Sequence, residues 1–137
     1  MVLELDTVPR IIAGIVLLTV VTIEFGGLFL LHSFRPGWEL TDFQRSFFRA
    51  GHAHAGVLVI FGLLCLVLSS ATALTGVGWF VAATGVLIAA ILMPAGFFFS
   101  AMGRGRTAPS RWIALLFAGA LSLAAGVVAL GIGLLAA

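Results

Sequence analysis

The sequence has no tyrosine, no lysine and no asparagine, and its single cysteine is Cys65. One cysteine excludes a disulfide framework, and the chain has no Cys/His zinc spacing, phosphate-binding glycine loop or nucleophile elbow. Charged residues make up only 9% of the chain. Any chemistry must therefore depend on the few polar side chains that are present.

Long apolar runs dominate the 137 residues, of which 62% are hydrophobic. Four runs, at about 10–33, 49–70, 76–102 and 112–136, reach the roughly 20 residues that a helix needs to cross a bilayer. Since lipid leaves an open chain no other way to satisfy its backbone polar groups, we expect all four to be helices. The sequence predicts an all-α, polytopic membrane four-helix bundle, with residues 1–137 forming one transmembrane domain.

The arginines predict the orientation of the chain. Six of the seven flank the first or the third connection: Arg35, Arg45, Arg49, Arg104, Arg106 and Arg111. Because positive residues are retained in the cytoplasm, we expect these connections there and both termini on the non-cytoplasmic side of the cell's inner (plasma) membrane. Lipid head groups explain arginines at such positions, so we expect the lipid bilayer, and no nucleic acid, as their partner.

The start of the chain predicts a true first span. Glu4 and Asp6 precede an apolar run that is too long for a cleavable signal peptide. Pro36-Gly37 predicts a turn after this span, and Trp38 suits the level of the lipid head groups.

Local patterns refine the later helices. Thr41 and Gln44 have the spacing of a capping box, which predicts that the second helix begins near Asp42. The fourth span has two rows of small residues that would let another helix or subunit pack closely: Ala118, Ser122 and Gly126, and Ala125, Ala129 and Gly133.

Two of the three histidines, His52 and His54, stand where the second apolar run begins. An imidazole at membrane depth is costly unless it binds something, so we interpret the pair as part of a site. Two residues apart, their side chains differ by about 200° around a helix, and only one of them can point at a given metal. The pair alone leaves open which of the two is the ligand.

Glu24 is the one charged residue inside the cores of the four apolar runs. Intramembrane carboxyl groups face other parts of the protein and pair with something. If the end of the first span and the start of the second lie at the same level of the membrane, Glu24 is about one helical turn deeper than His54, and His32 is near the membrane surface. We assign Glu24 the role of a proton carrier or ligand beside the site; a hydrogen bond to a neighbouring helix is the structural alternative.

The first three spans resemble the small four-helix membrane isomerases, namely styrene oxide isomerase and, more distantly, hydroxylaminobenzene mutase. The resemblance rests on Gly51-His52-Ala53-His54-Ala55-Gly56, which has the pattern Arg/Gly-x-Ala-His-x-Gly, and on Gly96-Phe97-Phe98, which is similar to a Gly-Phe-Tyr of the isomerase. The chain departs from the isomerase at Ile60, Ala90 and Phe98, where the isomerase has asparagine, aspartate and tyrosine.

This resemblance implies a b-type haem whose iron is bound by His54, toward the cytoplasmic half of the membrane. In these isomerases the ferric iron acts as a Lewis acid on an epoxide oxygen, and a carbonyl compound forms without net redox change. Subunits gather around their haems, so we expect a homo-oligomer, with a trimer favoured. Arg45, Arg49 and Arg104 would pair with the propionates, and aromatic rings would stabilise a developing cation. The candidate cofactor-binding residues are His54, His52, Arg49, Arg45 and Phe98.

Three functions are compatible with these residues. The first is a haem-dependent isomerase with Glu24 as a catalytic group, acting on a small apolar epoxide-like or N-oxygenated substrate drawn from the bilayer. The second is a non-enzymatic haem carrier, sensor or accessory subunit of a respiratory complex, which the scarcity of polar residues favours. The third is a non-haem copper or iron site using His32, His52 or His54, and Glu24.

Overall fold

The computed structural model describes residues 5–33, 35, 37 and 39–137, so the predictions for Glu4, Pro36 and Trp38 lie outside the described residues. The described chain has four long helices and one short 3₁₀ turn: α1 (Thr7–Ser33), α2 (Asp42–Ser69), α3 (Gly76–Ala101), the turn Arg111–Ile113 and α4 (Ala114–Leu135). It contains no strand, which confirms the all-α prediction. The four helices coincide with the four apolar runs, and each is long and apolar enough to cross a membrane.

The N-terminus of α2 is fixed by the predicted capping box. The Gln44 N–H donates to Thr41 Oγ1 at 3.1 Å, and the Thr41 N–H donates to Gln44 Oε1 at 3.2 Å. The Gln44 side chain also reaches the end of α3, where its Nε2 donates to the carbonyl oxygens of Ala101 and Gly103 at 2.9 and 2.7 Å. The start of α2 is therefore tied to the connection that follows α3.

Helix α3 is the centre of the packing. It contacts both α2 and α4 along its length, whereas α1 contacts α2 and, among the described residues, has no contact with α4. Side chains of α1 such as Val16 and Ile23 reach the buried cluster that contains Leu58 and Val86. The protein therefore has a group of three helices, α2, α3 and α4, with α1 packed mainly on α2 and reaching α3 through its side chains.

Close packing of α3 on α4 depends on glycine. A Cβ on Gly85 would lie 2.8 Å from the Gly126 Cα, closer than real side chains come to a backbone. The Ser122 hydroxyl donates to the Gly85 carbonyl oxygen at 2.8 Å across the same contact. Ser122 and Gly126 belong to a row of small residues that could also have packed on another subunit. In the structure they pack on α3 of the same chain, and Ala118 is the one member of the row that is exposed.

Candidate functional site

Helix α2 presents its two histidines to different neighbours. The His52 ring lies against α1, where a Cβ on Gly26 would be 3.3 Å from the His52 Nδ1. The His54 ring lies against α3, with its centroid 4.9 Å from that of Phe97. As the sequence predicts, the two imidazoles are about 200° apart around the helix and cannot bind one metal together. The residues of the predicted site therefore separate into two groups.

The helix backbone holds the His54 imidazole in one orientation. Its Nδ1 lies 2.8 Å from the carbonyl oxygen of Ala50, one turn earlier in α2. Because a carbonyl oxygen only accepts, Nδ1 carries the ring proton and Nε2 has the free lone pair. Histidines that bind metals are commonly fixed in this way, through a hydrogen bond from their other ring nitrogen. His54 is therefore prepared to act as a ligand through Nε2.

His54 opens onto an apolar groove where α2, α3 and α4 meet. The groove has a volume of about 330 Å³, and the residues that line it besides His54 are Ala53, Val57, Leu58, Met93 and Leu123. Every one of these side chains is apolar, and the groove is open on its outer side. Its shape and chemistry suit part of a large apolar ligand, and they suit a polar substrate poorly.

His52 belongs to a second and smaller cavity between α1, α2 and α3. This cavity has a volume of about 200 Å³ and is lined by Thr19, Thr22, Ile23, Gly26, His52, Ala55, Val59, Ala90 and Phe98. Phe98 also stacks on Phe48, with ring centroids 5.6 Å apart. Phe98, expected beside the cofactor of His54, thus lies on the His52 side, and Phe97 takes the place beside His54.

Arg45 and Arg49 lie on the His52 side of α2. Arg45 precedes His52 by seven positions, about two turns, so the two share a face. It precedes His54 by nine positions, about two and a half turns, which puts those two on opposite faces. The buried Arg45 Nε has no hydrogen-bond partner among the described residues. The Arg49 Nε donates to the Arg45 carbonyl oxygen at 3.3 Å. Within one copy of the chain, these arginines therefore face away from the groove of His54.

Glu24 lies on the exposed side of α1. We expected Glu24 to lie close to His54. Because α1 packs on the His52 side of α2, the two residues are not close within one chain. His32 is exposed near the end of α1, where its Nε2 lies 3.4 Å from an Arg35 guanidinium nitrogen. Among the described residues, no three His, Cys, Asp or Glu side chains converge as metal ligands. Within one copy, the described residues therefore do not bring together the ligands expected for a non-haem site.

The sequence analysis did not predict that the His52 ring would lie on the backbone of α1. Gly26 and Gly27 are both in contact distance of the His52 ring, with a Cβ on Gly27 placed 3.4 Å from His52 Cε1. Adjacent glycines inside an apolar span were the available indication, because an absent side chain lets a ring lie directly on the backbone. Gly51 in turn leaves room for Phe98, whose ring would be 2.9 Å from a Cβ there.

A b-type haem fits this geometry in its ligand and in its apolar surroundings. His54 offers one fixed imidazole, and the groove volume of about 330 Å³ is at the lower end of the range for small-molecule sites. A single copy would enclose only part of a porphyrin, because the groove is open on its outer side. Partners for the propionates would have to come from residues other than Arg45 and Arg49 of the same copy.

Comparisons of the chain with protein-family models, with curated proteins and with solved structures give no match. The resemblance to the membrane isomerases therefore rests on the short motifs around His54 and Phe97. What the site does must be argued from its own residues.

Proposed function

We propose that the chain spans the cell's inner (plasma) membrane four times. Four helices of sufficient length and apolar character support this. The arginines at the α1–α2 and α3–α4 connections support a cytoplasmic location for those connections, with both termini on the other side. In this orientation the His54 groove lies in the cytoplasmic half of the bilayer.

We propose that His54 binds the iron of a b-type haem in this groove. The observation that carries the proposal is the hydrogen bond from His54 Nδ1 to the Ala50 carbonyl, which leaves Nε2 free beside a wholly apolar wall. The short motifs shared with the haem-dependent isomerases support the same residue. When bound, a ferric haem would supply a Lewis acid able to polarise an oxygen atom of a substrate.

The reaction that suits these surroundings is an intramolecular isomerisation without net redox change. Among the described residues, His54 is the one polar group that lines the groove, so the walls would bind and orient a small apolar substrate, epoxide-like or N-oxygenated, that enters from the bilayer. Leu58, Met93 and Leu123 would exclude water, which keeps a reactive substrate from hydrolysis. Phe97 would hold the plane of the His54 ring through their contact at 4.9 Å.

The proposed site is completed by a second copy of the chain, because the groove is open on its outer side. We propose a homo-oligomer, with a trimer favoured, in which a neighbouring copy closes the groove and helps to hold the haem. Glu24 can serve as the catalytic group only in such an assembly, since its own copy places it on the exposed side of α1. A neighbouring α1 would bring that carboxyl group to the groove.

A non-enzymatic haem protein, a carrier or an accessory subunit of a respiratory complex, is the second candidate. It is favoured because, among the described residues of one copy, His54 is the one lining residue of the groove that can transfer a proton. The coordination of the iron separates the two candidates. Five-coordinate ferric iron leaves a position for substrate and favours the isomerase, whereas two histidine ligands favour the carrier.

The experiment that tests the proposed function is purification in mild detergent from cells supplied with haem precursor, followed by an absorption spectrum and metal analysis. We expect haem b at a fixed ratio to protein, and conversion of an apolar epoxide to a carbonyl compound without an added oxidant or reductant. A colourless preparation with stoichiometric copper or iron would contradict haem binding. Stable haem content with six-coordinate iron and no conversion would favour the carrier.

A further inference from the structure

A large cavity that the proposed haem site does not use lies at the connection between α3 and α4. Its volume is about 720 Å³, and it is lined by Phe99, Met102, Arg106, Ser110, Arg111 and Trp112. These residues lie at the ends of two helices that are long and apolar enough to cross a membrane. In the proposed membrane orientation this is the level of the lipid head groups.

The cationic groups of this cavity have no anionic partner in the described chain. Arg106 is half-buried, and its Nε donates to the Met102 carbonyl oxygen at 2.6 Å, which leaves its terminal nitrogens available. The Arg111 guanidinium lies over the Trp112 ring, 5.9 Å from the centroid. Among the described residues, no carboxyl group lines the cavity. Two arginines that line one cavity without a carboxylate beside them suit an oxyanion, and phosphate in particular.

Ser110 adds an independent indication of a ligand. Its Oγ is buried and has no hydrogen-bond partner among the described residues. Its backbone is fixed, because the Ser110 N–H donates to the Ser100 carbonyl oxygen at 2.9 Å. A buried hydroxyl without a partner is costly, and a turn of the Ser110 side chain toward the cavity that this residue lines would let an oxygen of a bound ligand satisfy it.

The site is also preorganised by α2. The Thr41 hydroxyl donates to the Arg106 carbonyl oxygen, and Gln44 Nε2 donates to the Gly103 carbonyl oxygen at 2.7 Å. These contacts come from the capped start of α2 and fix the loop that carries Arg106. A prearranged loop loses less conformational freedom when a ligand binds.

The apolar walls of the cavity favour a lipid over a free anion as its ligand. Phe99, Met102 and Trp112 expose 46%, 58% and 49% of their surfaces. A free phosphate would leave this apolar surface uncovered, whereas a phospholipid would place its phosphate on the arginines and its acyl chains on the aromatic rings. The combination of cationic and apolar lining therefore matches an anionic amphiphile.

We propose that this cavity binds the phosphate of an anionic phospholipid. Arg106 and Arg111 donate to the phosphate oxygens, Ser110 Oγ donates to a third, and Phe99 and Trp112 contact the acyl chains. The inference rests on the proposed membrane insertion and is independent of haem binding, so it can hold or fail separately from the proposal for His54.

The test uses native mass spectrometry to measure lipid binding by the detergent-purified protein. Phosphatidylglycerol and phosphatidylcholine are added in separate experiments. The matched control is Arg104→Gln, which removes an exposed arginine of the same connection that does not line the cavity. We expect phosphatidylglycerol to bind in preference to phosphatidylcholine, and the double variant Arg106→Gln/Arg111→Gln to weaken that binding roughly 30-fold. Ser110→Ala, a small change that spares the fold, should weaken it severalfold, and Arg104→Gln should not change it.

Two results would overturn the proposal. Equal loss in Arg104→Gln and in the double variant would show that surface charge alone attracts the lipid. Inorganic phosphate that displaces phosphatidylglycerol at equal concentration would show an anion site without a role for the apolar walls. Circular dichroism of each variant establishes that the helices are retained, so that lost binding reports on the cavity.

Discussion

The His54 Nδ1 donates to the carbonyl oxygen of Ala50 at a distance of 2.8 Å, one turn earlier on the same helix. This hydrogen bond fixes both the tautomer and the orientation of the ring, and it leaves Nε2 as the acceptor. His52, two residues earlier, rests on Gly26 of α1. The two imidazoles therefore have separate surroundings, and each can be changed while the other is left in place.

The orientation of the helices can be tested with single cysteines in a Cys65→Ala background. We expect Thr107→Cys, at an exposed position of the α3–α4 connection, to be protected from a membrane-impermeant thiol reagent in intact cells. Ala73→Cys, exposed at the α2–α3 connection, should be labelled under the same conditions. The reason is that the arginines that flank the first and third connections keep those connections in the cytoplasm, so the second connection lies on the other side. The reverse labelling pattern would contradict the proposed orientation.

The assembly can be tested by mass measurement in mild detergent. The open outer side of the His54 groove leads us to expect a haem-containing trimer, with loss of haem when stronger detergent dissociates it. Multi-angle light scattering with absorbance at the haem wavelength measures both quantities in one run. A haem-loaded monomer would show that one copy encloses the cofactor without help.

Glu24 can be tested by complementation between copies. If the carboxyl group of one copy acts at the groove of the next, Glu24→Gln should keep its haem but lose about 100-fold or more in turnover, as expected for removal of a general acid or base. Coexpression of Glu24→Gln with His54→Ala should then restore activity above that of either variant alone, because mixed oligomers contain one intact site.

The control for this experiment is Glu24→Leu, which removes the hydrogen-bonding capacity as well as the charge. A structural role for Glu24 would appear as normal turnover in Glu24→Gln and loss of folded protein in Glu24→Leu. Activity that mixed oligomers do not restore would show that Glu24 does not act between copies.

The contact of Gly85 with Gly126 predicts a strong and local effect on stability. Gly85→Val would force a side chain against the α4 backbone, and we expect it to destabilise the protein by about 1–3 kcal/mol. Gly131→Val is the matched control, because a Cβ on Gly131 meets nothing within 4 Å. Thermal unfolding in detergent, monitored by circular dichroism, should show a lower midpoint for Gly85→Val only. Equal shifts for both variants would mean that the helix contact is not close.

The helices could be predicted from the sequence because the information is local. Four apolar runs and the Thr41–Gln44 capping pair define them without reference to the rest of the chain. The seven positions between Arg45 and His52 already indicate that the two share a face of α2. The prediction that Arg45 binds a haem held by His54 did not take this spacing into account. Which neighbour each face meets depends on tertiary packing, so the adjacent Gly26 and Gly27 indicate that a ring can lie on α1 but do not specify that it is the ring of His52.

The small residues of α4 show the same division between local and tertiary information. Their spacing correctly indicates a surface for close helix packing. It does not specify the partner, and the structure pairs Ser122 and Gly126 with Gly85 of the same chain. The oligomer therefore remains a prediction that rests on the open groove.

Binding of haem by His54 is decided by the ferric absorption spectrum of the purified His54→Gly protein, recorded before and after addition of free imidazole. His52→Gly is the matched control, because both changes place a glycine inside α2 at a cost of about 1 kcal/mol. We expect His52→Gly to keep the haem b spectrum of the unaltered protein, and His54→Gly to lose it and to regain it when imidazole occupies the vacated space. Full haem content and an unchanged spectrum in His54→Gly, or a loss confined to His52→Gly, would contradict ligation by His54.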